Sequence, residues 1–341
     1  MIKVGVIGFG NSARTFHIPF ITTLDSLELV AISSSKKELV AEKHPQVSIF
    51  ETAHDLILNG NLELVIITAP NNVHYELAKL CLENGINVVL EKPMVTTSLE
   101  AQELVALAKE RSLLLSVFHN RRWDGDFLTV KKLLENKKIG DVRLFESHFD
   151  RFRPVVANRW RDQKGAGSGI WFDLGSHLVD QAVCLFGLPQ SITARCLLLR
   201  EGAEAPDYFH VLLHYDNLEV ILHASSFSAG PNNRFRVEGT KGTFIKQGLD
   251  PQEDQLKRGM TPNDASYGVD APADCGTVYG EASCEFIETE NGCYQQYYLG
   301  IIDAIKSAGP NPVDPAGVVD VLRILELGEK SSETGKTISL S

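Results

Sequence analysis

The feature that most restricts what this chain can fold into is a glycine turn set directly after a short apolar run. Lys3 to Ile7 reads as a strand, and Gly8-Phe9-Gly10-Asn11-Ser12-Ala13 follows without a gap. This fits the Gly-x-Gly-x-x-Gly/Ala pattern of dinucleotide binding. Gly8 permits a tight turn, Gly10 lets a pyrophosphate approach the backbone, and small Ala13 allows a helix to pack closely. The helix that starts there offers unsatisfied N–H groups to phosphate oxygens. Glycine turns also end strands for structural reasons alone, so the pattern takes its meaning from its surroundings.

Those surroundings alternate. Further β-rich runs at Leu29 to Ser33, Leu64 to Thr68, Asn87 to Leu90 and Leu113 to Val117 are separated by amphipathic stretches such as His74 to Asn84 and Ser98 to Glu110. Short strands alternating with helices predict a parallel sheet covered by helices. Past Asn120 the rhythm changes. Longer strand candidates follow one another at Val142 to Phe152, Ser191 to Leu199, Tyr208 to Tyr215, Glu219 to Ser226, Arg234 to Glu238 and Thr243 to Gln247. A strong helix from Trp171 to Phe186 interrupts them, and the polar, Gly- and Pro-bearing stretch from Leu249 to Glu288 reads as a loop-rich excursion. The expected fold is an α/β N-terminal Rossmann domain over residues 1–120 and an α+β C-terminal domain over residues 121–341. The second domain has a large, mainly antiparallel sheet, and a last helix, Pro315 to Ser332, packs back on the body.

A chain of 341 residues is long enough for two such cores. Its formal charge of −11, without a Lys/Arg-rich stripe, argues against a nucleic-acid partner. The apolar opening is too short to span a bilayer and reads as a strand, not a signal peptide, so a cytoplasmic protein without a membrane partner is expected. The six cysteines are scattered with no Cys-x-x-Cys pair, which predicts free thiols and no zinc site or disulfide framework.

Cofactor choice turns on the end of the second strand. An NAD-preferring site places an acid there, about 20 residues after the glycine turn, to hold the ribose 2′-hydroxyl. This chain has Ser33-Ser34-Ser35-Lys36-Lys37 instead. Hydroxyls can donate to a 2′-phosphate and Lys36 or Lys37 can supply charge, so NADP is favoured over NAD. The plainer alternative is that the serines cap the next helix and the lysines are a solvated face.

Two groups of residues can carry chemistry. Val88 to Leu90 runs into Glu91-Lys92-Pro93, which puts Lys92 outside the carboxyl end of a parallel strand, where ligands of such sheets bind. A lysine there can hydrogen-bond a substrate oxygen and lower the pKa of the reacting hydroxyl. A cis bond before Pro93 would set the angle at which Lys92 enters. The second group is Asp173 and His177, four apart and so on one face of an otherwise apolar helix. His177 suits a general base and Asp173 an orienting carboxylate; the bland alternative is an Asp/His pair that satisfies a half-buried helix. A metal built from these two with His119 or His148 has no defining spacing, and none is expected. Asn120, Arg153 and the neighbouring clusters Arg121-Arg122-Trp123-Asp124, Asp150-Arg151-Phe152 and Asn158-Arg159-Trp160-Arg161 suit a polyhydroxylated ligand, although structural ion pairs use the same residue types.

The Gly8-Phe9-Gly10 turn, Glu91-Lys92-Pro93 and Asp173-Leu174-Gly175-Ser176-His177 occur in the order found in the glucose-fructose oxidoreductase/inositol dehydrogenase/rhizopine-catabolism (Gfo/Idh/MocA) family, which the whole chain resembles. The segments Ser116 to Asp124, Glu146 to Pro154 and Leu249 to Glu253 look most like a bacterial group that includes NADP-dependent scyllo-inositol dehydrogenases. The resemblance implies hydride transfer between a nicotinamide and a carbinol carbon of a cyclitol, polyol or sugar, with Lys92, Asp173 and His177 as catalytic residues. It also implies an open second-domain sheet whose exposed face pairs subunits into a homodimer or homotetramer. Candidate cofactor contacts are Gly8, Phe9, Gly10, Asn11, Ser12, Ser33, Ser34, Lys36, Pro70, Asn71, His74, Glu91, Lys92 and Asn120. Candidate substrate contacts are Lys92, Asn120, Arg153, Asp173 and His177. The serine-lysine run at residues 33–37 departs from the many members that carry the acid selecting NAD. Two rival readings are a regulator of the same fold that binds NAD(P) without turnover, and a reductase of a non-sugar carbonyl substrate.

Overall fold

A computed structural model describes residues 1–156, 163–165 and 167–340. The Asn158 to Arg161 cluster lies outside them. The chain forms two compact units, one of residues 1–120, 252–267 and 293–319, the other of residues 121–251, 268–292 and 320–341.

The first unit contains β1 (Ile2–Ile7), α1 (Ile18–Thr23), β2 (Leu27–Ser33), α2 (Lys37–Lys43), β3 (Ser48–Phe50), α3 (Ala53–Asn59), β4 (Leu64–Ile67), α4 (His74–Glu83), β5 (Asn87–Leu90), α5 (Ser98–Arg111) and β6 (Leu115–Val117). The strands pair in parallel in the order β3-β2-β1-β4-β5-β6, the order of a dinucleotide fold, with the switch of direction between β1 and β4. Leu64, Val65, Ile66 and Ile67 of β4 are all 0 % exposed, as expected of a strand with both faces covered. Helix starts follow local chemistry. The Thr52 hydroxyl accepts the Asp55 N–H at the head of α3, and Thr97 with Glu100 closes a capping box at the head of α5.

The second unit opens with α6 (Gly125–Glu135) and β7 (Val142–His148), then α7 (Ser176–Phe186), β8 (Ser191–Leu197), β9 (Tyr208–His214), β10 (Glu219–Ser225), β11 (Asn233–Gly239) and β12 (Gly242–Gln247). After α8 (Gln252–Lys257), which belongs to the first unit, come β13 (Gly276–Tyr279) and β14 (Cys284–Ile287). Helix α9 (Gln295–Ser307) again packs in the first unit, while α10 (Pro315–Thr334) leads into the second and to β15 (Ile338–Ser339). Nine strands form one sheet in the order β14-β13-β12-β11-β7-β10-β9-β8-β15. Neighbours are antiparallel except β7 and β10. Strands β9 and β10 alternate strictly between buried and half-buried residues. Phe145, Phe209 and Phe235 fill the buried face, and Phe145 meets Phe186 of α7 with ring centroids 5.3 Å apart.

The fold class follows the sequence expectation, with local differences. Residues 249–288 are not simply loop, because α8 and the β13–β14 hairpin lie there. These are pieces of four to six residues, too short to show a period in a polar stretch. Strand β7 stops at His148, and beyond it Phe152 makes an isolated bridge to Phe227. The sequence placed everything after Asn120 in one domain, whereas residues 252–267 and 293–319 return to the first unit. They do so because Tyr297, Tyr298 and Ile301 give α9 an apolar side that buries completely there. All six cysteines are free, and no helix among the described residues is long and apolar enough to cross a membrane.

Candidate active site

In the first unit the carboxyl ends of the parallel strands collect most of the candidate residues. The Gly8 N–H donates to Ser33 O at 2.9 Å, and the Thr68 N–H and hydroxyl both donate to Ile7 O at 2.9 Å, so the ends of β1, β2 and β4 are tied together. Gly8 has φ +97°, and a Cβ there would meet Thr68 Oγ1 at 2.6 Å. Both the backbone and the space demand glycine. Gly10 differs, because a Cβ at Gly10 would have no heavy atom within 4 Å. No packing requirement explains it, and the open backbone is the close-approach surface that a pyrophosphate needs. The residues therefore fit a dinucleotide.

Just past β2, Ser34 Oγ accepts the Lys36 N–H at 3.0 Å, a turn that leads into α2. Lys37 is paired with Glu51 at 3.1 Å, whereas Lys36 is exposed with no side-chain ion pair among the described residues. The positive charge at this strand end is carried by Lys36. No carboxylate occupies residues 33–37.

Three other candidates are engaged by the protein itself. The ring of His74, 1 % exposed, lies against carbonyl oxygens at both ends: Nε2 is 2.9 Å from Ala69 O, and Nδ1 is 3.1 Å from Pro93 O and from Met94 O. Burial pulls its pKa down, against the opposing pull of these carbonyls. His74 thus braces the segments after β4 and β5. The Ser12 hydroxyl donates to Glu91, and Glu91 also faces His17 Nε2 at 3.0 Å. An ionised carboxylate only accepts, so Nε2 carries the proton. The other ring nitrogen, Nδ1, lies 2.5 Å from the Tyr298 hydroxyl. Burial pushes the Glu91 carboxyl up, but the hydrogen bond and charge of His17, the Ser12 hydroxyl and Lys92 together bring it down to about 2. Glu91, the residue before Lys92, is thereby anchored to Ser12 and His17 after the glycine turn. Its partners His17 and Tyr298 were not among the sequence candidates, since nothing in the spacing joins residues so far apart.

Lys92 is half-buried, and its bond to Pro93 is cis. Asn71 and Asn120 are 6 % and 5 % exposed at the carboxyl ends of β4 and β6.

In the second unit, Asp173 and His177 flank a change of winding. Trp171–Gly175 form a wide π turn, a form found often at functional positions, and α7 begins at Ser176. Trp171 anchors this segment. Its indole N–H donates to Leu325 O at 3.0 Å, and Cβ atoms at Gly175 and Gly328 would lie 2.3 and 2.7 Å from its ring. The Asp-Leu-Gly-Ser-His run is thus held by an aromatic slotted between two glycines. His177 is 6 % exposed and Asp173 half-buried.

Further along α7, Arg122 clamps Asp180 through two bonds of 2.9 and 2.7 Å. Arg234, Asp126 and Gln181 form a second buried polar group, with Arg234 bonded to Asp126 at 3.1 Å, to Gln181 Oε1 at 2.9 Å and to Ser147 Oγ at 2.7 Å. Asp180, Gln181 and Arg234 were not singled out from the sequence, although a charge inside an apolar helix is a readable signal. Arg121 also serves structure, lying 3.5 Å from Asp124. Arg153 remains exposed, held by its N–H bond to Ser226 O at 2.8 Å.

The chain is similar to known proteins over its whole length. The family model for the NAD-binding Rossmann fold of the Gfo/Idh/MocA oxidoreductases matches residues 2–119, and that for the C-terminal alpha/beta domain matches residues 131–340. The uncharacterized oxidoreductase YdgJ of Escherichia coli is 45% identical over 342 residues, covering 100% of this chain and 99% of that protein. The scyllo-inositol 2-dehydrogenase (NADP(+)) IolW of Bacillus subtilis is 39% identical over 99% of this chain and 96% of its own length. The crystal structure of an oxidoreductase from Bacillus cereus superposes with a TM-score of 0.91 at 33% identity, covering 100% of this chain and 99% of that one.

Proposed function

The chain belongs to the Gfo/Idh/MocA family of oxidoreductases, and from that premise we propose that it is an NADP-dependent dehydrogenase acting on a carbinol carbon of a cyclitol, polyol or sugar, with scyllo-inositol and its ketone as the leading pair. The observation that carries the cofactor choice is the end of β2, where three serines and a lysine with no side-chain ion pair among the described residues stand in place of an acid. Full-length similarity to a scyllo-inositol dehydrogenase supports the substrate class.

When bound, the dinucleotide supplies the site that accepts or donates hydride. The chain supplies the rest. Residues 1–120 hold the cofactor: Phe9, Gly10 and Asn11 present backbone to the pyrophosphate, Ser33, Ser34 and Lys36 take the 2′-phosphate, and Pro70, Asn71 and Asn120 line the strand ends. Lys92 hydrogen-bonds the substrate oxygen and, as a cation, favours the developing alkoxide. His177 takes the hydroxyl proton on a ring nitrogen, and Asp173 orients the substrate or the imidazole. Arg153 and Asn120 contact hydroxyls. The rest of the chain holds substrate and pairs subunits into a homodimer or homotetramer, and the protein works in the cytoplasm.

Initial rates with NADP and NAD, measured separately over inositol isomers, hexoses and linear polyols, test this reading. NADP reduction confined to a cyclitol is expected. Tight NADPH binding with no turnover on any member of the panel would reject the enzyme reading as stated and favour a non-catalytic regulator.

A further inference from the structure

The nine-stranded sheet carries a second polar constellation that the proposed chemistry does not use. His148 of β7 lies opposite His223 of β10, and His223 opposite His210 of β9, so three histidines stand in one row across three neighbouring strands. Ring centroids are 5.2 Å apart for His148 and His223 and 5.8 Å for His223 and His210. Side chains alternate between the faces of a sheet. Phe145 points to α7, while Val220, Leu222 and Ala224 are buried. His148 and His223 therefore occupy the face opposite α7.

Asp150 completes the group from two residues beyond His148. The ladder holds this segment, because the Phe149 N–H donates to His223 O and the Arg151 N–H to Ser225 O, both at 2.9 Å. The Asp150 carboxylate accepts the Ser225 N–H at 2.8 Å, with His223 Nδ1 at 2.8 Å and His148 Nδ1 at 3.5 Å. One ligating atom from each residue lies within 4.8 Å of the other two. Tetrahedral zinc, with bonds of about 2.0–2.1 Å, sets its ligand atoms about 3.3–3.5 Å apart, so the group closes on a cation with small side-chain movements. The far nitrogen of His148, Nε2, is 3.4 Å from Glu146 Oε2, the carboxylate-histidine arrangement that orients metal-bound imidazoles.

We propose that His148, Asp150 and His223 form a binding site for a first-row divalent cation of the zinc or cobalt type, on the sheet face opposite α7. Asp150 sits between the two rings, its carboxylate facing a nitrogen of each. His210 supplies a further nitrogen in the same row. Three protein ligands leave positions open for water or a fourth ligand. The sequence expectation of no metal site rested on the lack of a spacing signature. This group has none, because strand pairing and not sequence distance brings it together.

The test is titration of chelator-treated, full-length protein with Co²⁺, read by the visible d–d bands and by displacement with Zn²⁺. One equivalent is expected to bind, at least 100-fold more weakly in His148→Ala and in His223→Ala and about 10-fold more weakly in Glu146→Gln. His177→Ala should bind Co²⁺ like the wild type. Thermal melts in chelator identify any variant that fails to fold, and the other histidine variant then decides. Absence of a Co²⁺ band in the wild type would overturn the proposal. So would equal affinity in the folded histidine variants, or loss of the site in His177→Ala. Turnover with NADP is independent of this result, so the two readings fail separately.

Discussion

The two sheets solve the same problem, burial of a β-layer, in opposite ways. In the first unit β4 is buried residue after residue, and the candidate chemistry sits at or beyond the strand ends, at Gly8 to Ser12, Ser33 to Lys36, Pro70 and Asn71, Glu91 to Pro93 and Asn120. In the second, β9 and β10 bury every other residue, and the alternate positions carry histidines, an acid, hydroxyls and aliphatic side chains on a half-exposed face. A sheet filled on both faces confines function to its edge. A sheet filled on one face leaves the other available for contact or ligation.

The largest expected effect breaks this comparison most directly. Ile66→Asp, at 0 % exposure in β4, should cost more than about 4 kcal/mol of stability by urea denaturation, because the carboxylate finds no partner between two covered faces. Ile221→Asp on the half-exposed face of β10 should cost under about 1 kcal/mol. Equal losses would show that the two sheets are not packed differently. Next in size, His177→Ala should lower turnover by about 10² to 10⁴-fold with NADPH affinity nearly unchanged, as kinetics and fluorescence titration would show.

Glu91 gives a pH signature specific to the strand-end network. Its folded pKa of about 2 lies below the ordinary 4.5, so its stabilisation is complete above pH 4.5 and is lost as pH falls through 2. The difference in unfolding free energy between wild type and Glu91→Gln should be on the order of 3 kcal/mol above pH 4.5 and should shrink below it. A pH-independent difference would place the stabilisation elsewhere. Gly175→Ala forces a methyl into the Trp171 ring and should cost about 1–3 kcal/mol, together with activity. The smallest effect sharpens cofactor choice: Lys36→Ala should weaken NADP binding by roughly tenfold and leave NAD binding nearly unchanged.

The first sheet was legible because its strands are mostly apolar, with Lys3 and Glu28 the single charged residues of β1 and β2, and are bounded by turn residues. The short β3, β13 and β14 were not legible, because their runs mix in serine, glycine, threonine or glutamate and lack the unbroken apolar stretch of the short β4. At the candidate site, Gly8 could be read because its left-handed backbone demands glycine, and Gly10 because it stands two residues on in the dinucleotide pattern. The engagement of His74 with three carbonyls, and of Glu91 with His17 and Tyr298, could not be read, because those contacts depend on how distant segments pack. The histidine row belongs to the same class. His148 and His223 become neighbours only through the register of a parallel pair whose connection runs through α7, β8 and β9.

Hydride transfer itself is tested most directly by isotope tracing. Incubation with NADP and scyllo-inositol deuterated at its carbinol carbons, followed by mass spectrometry of the reduced cofactor, should show one deuterium carried into NADPH. NADPH formed without label, or no NADPH formed from any carbon-deuterated cyclitol, polyol or sugar, would contradict the assignment of a carbinol carbon as the hydride donor.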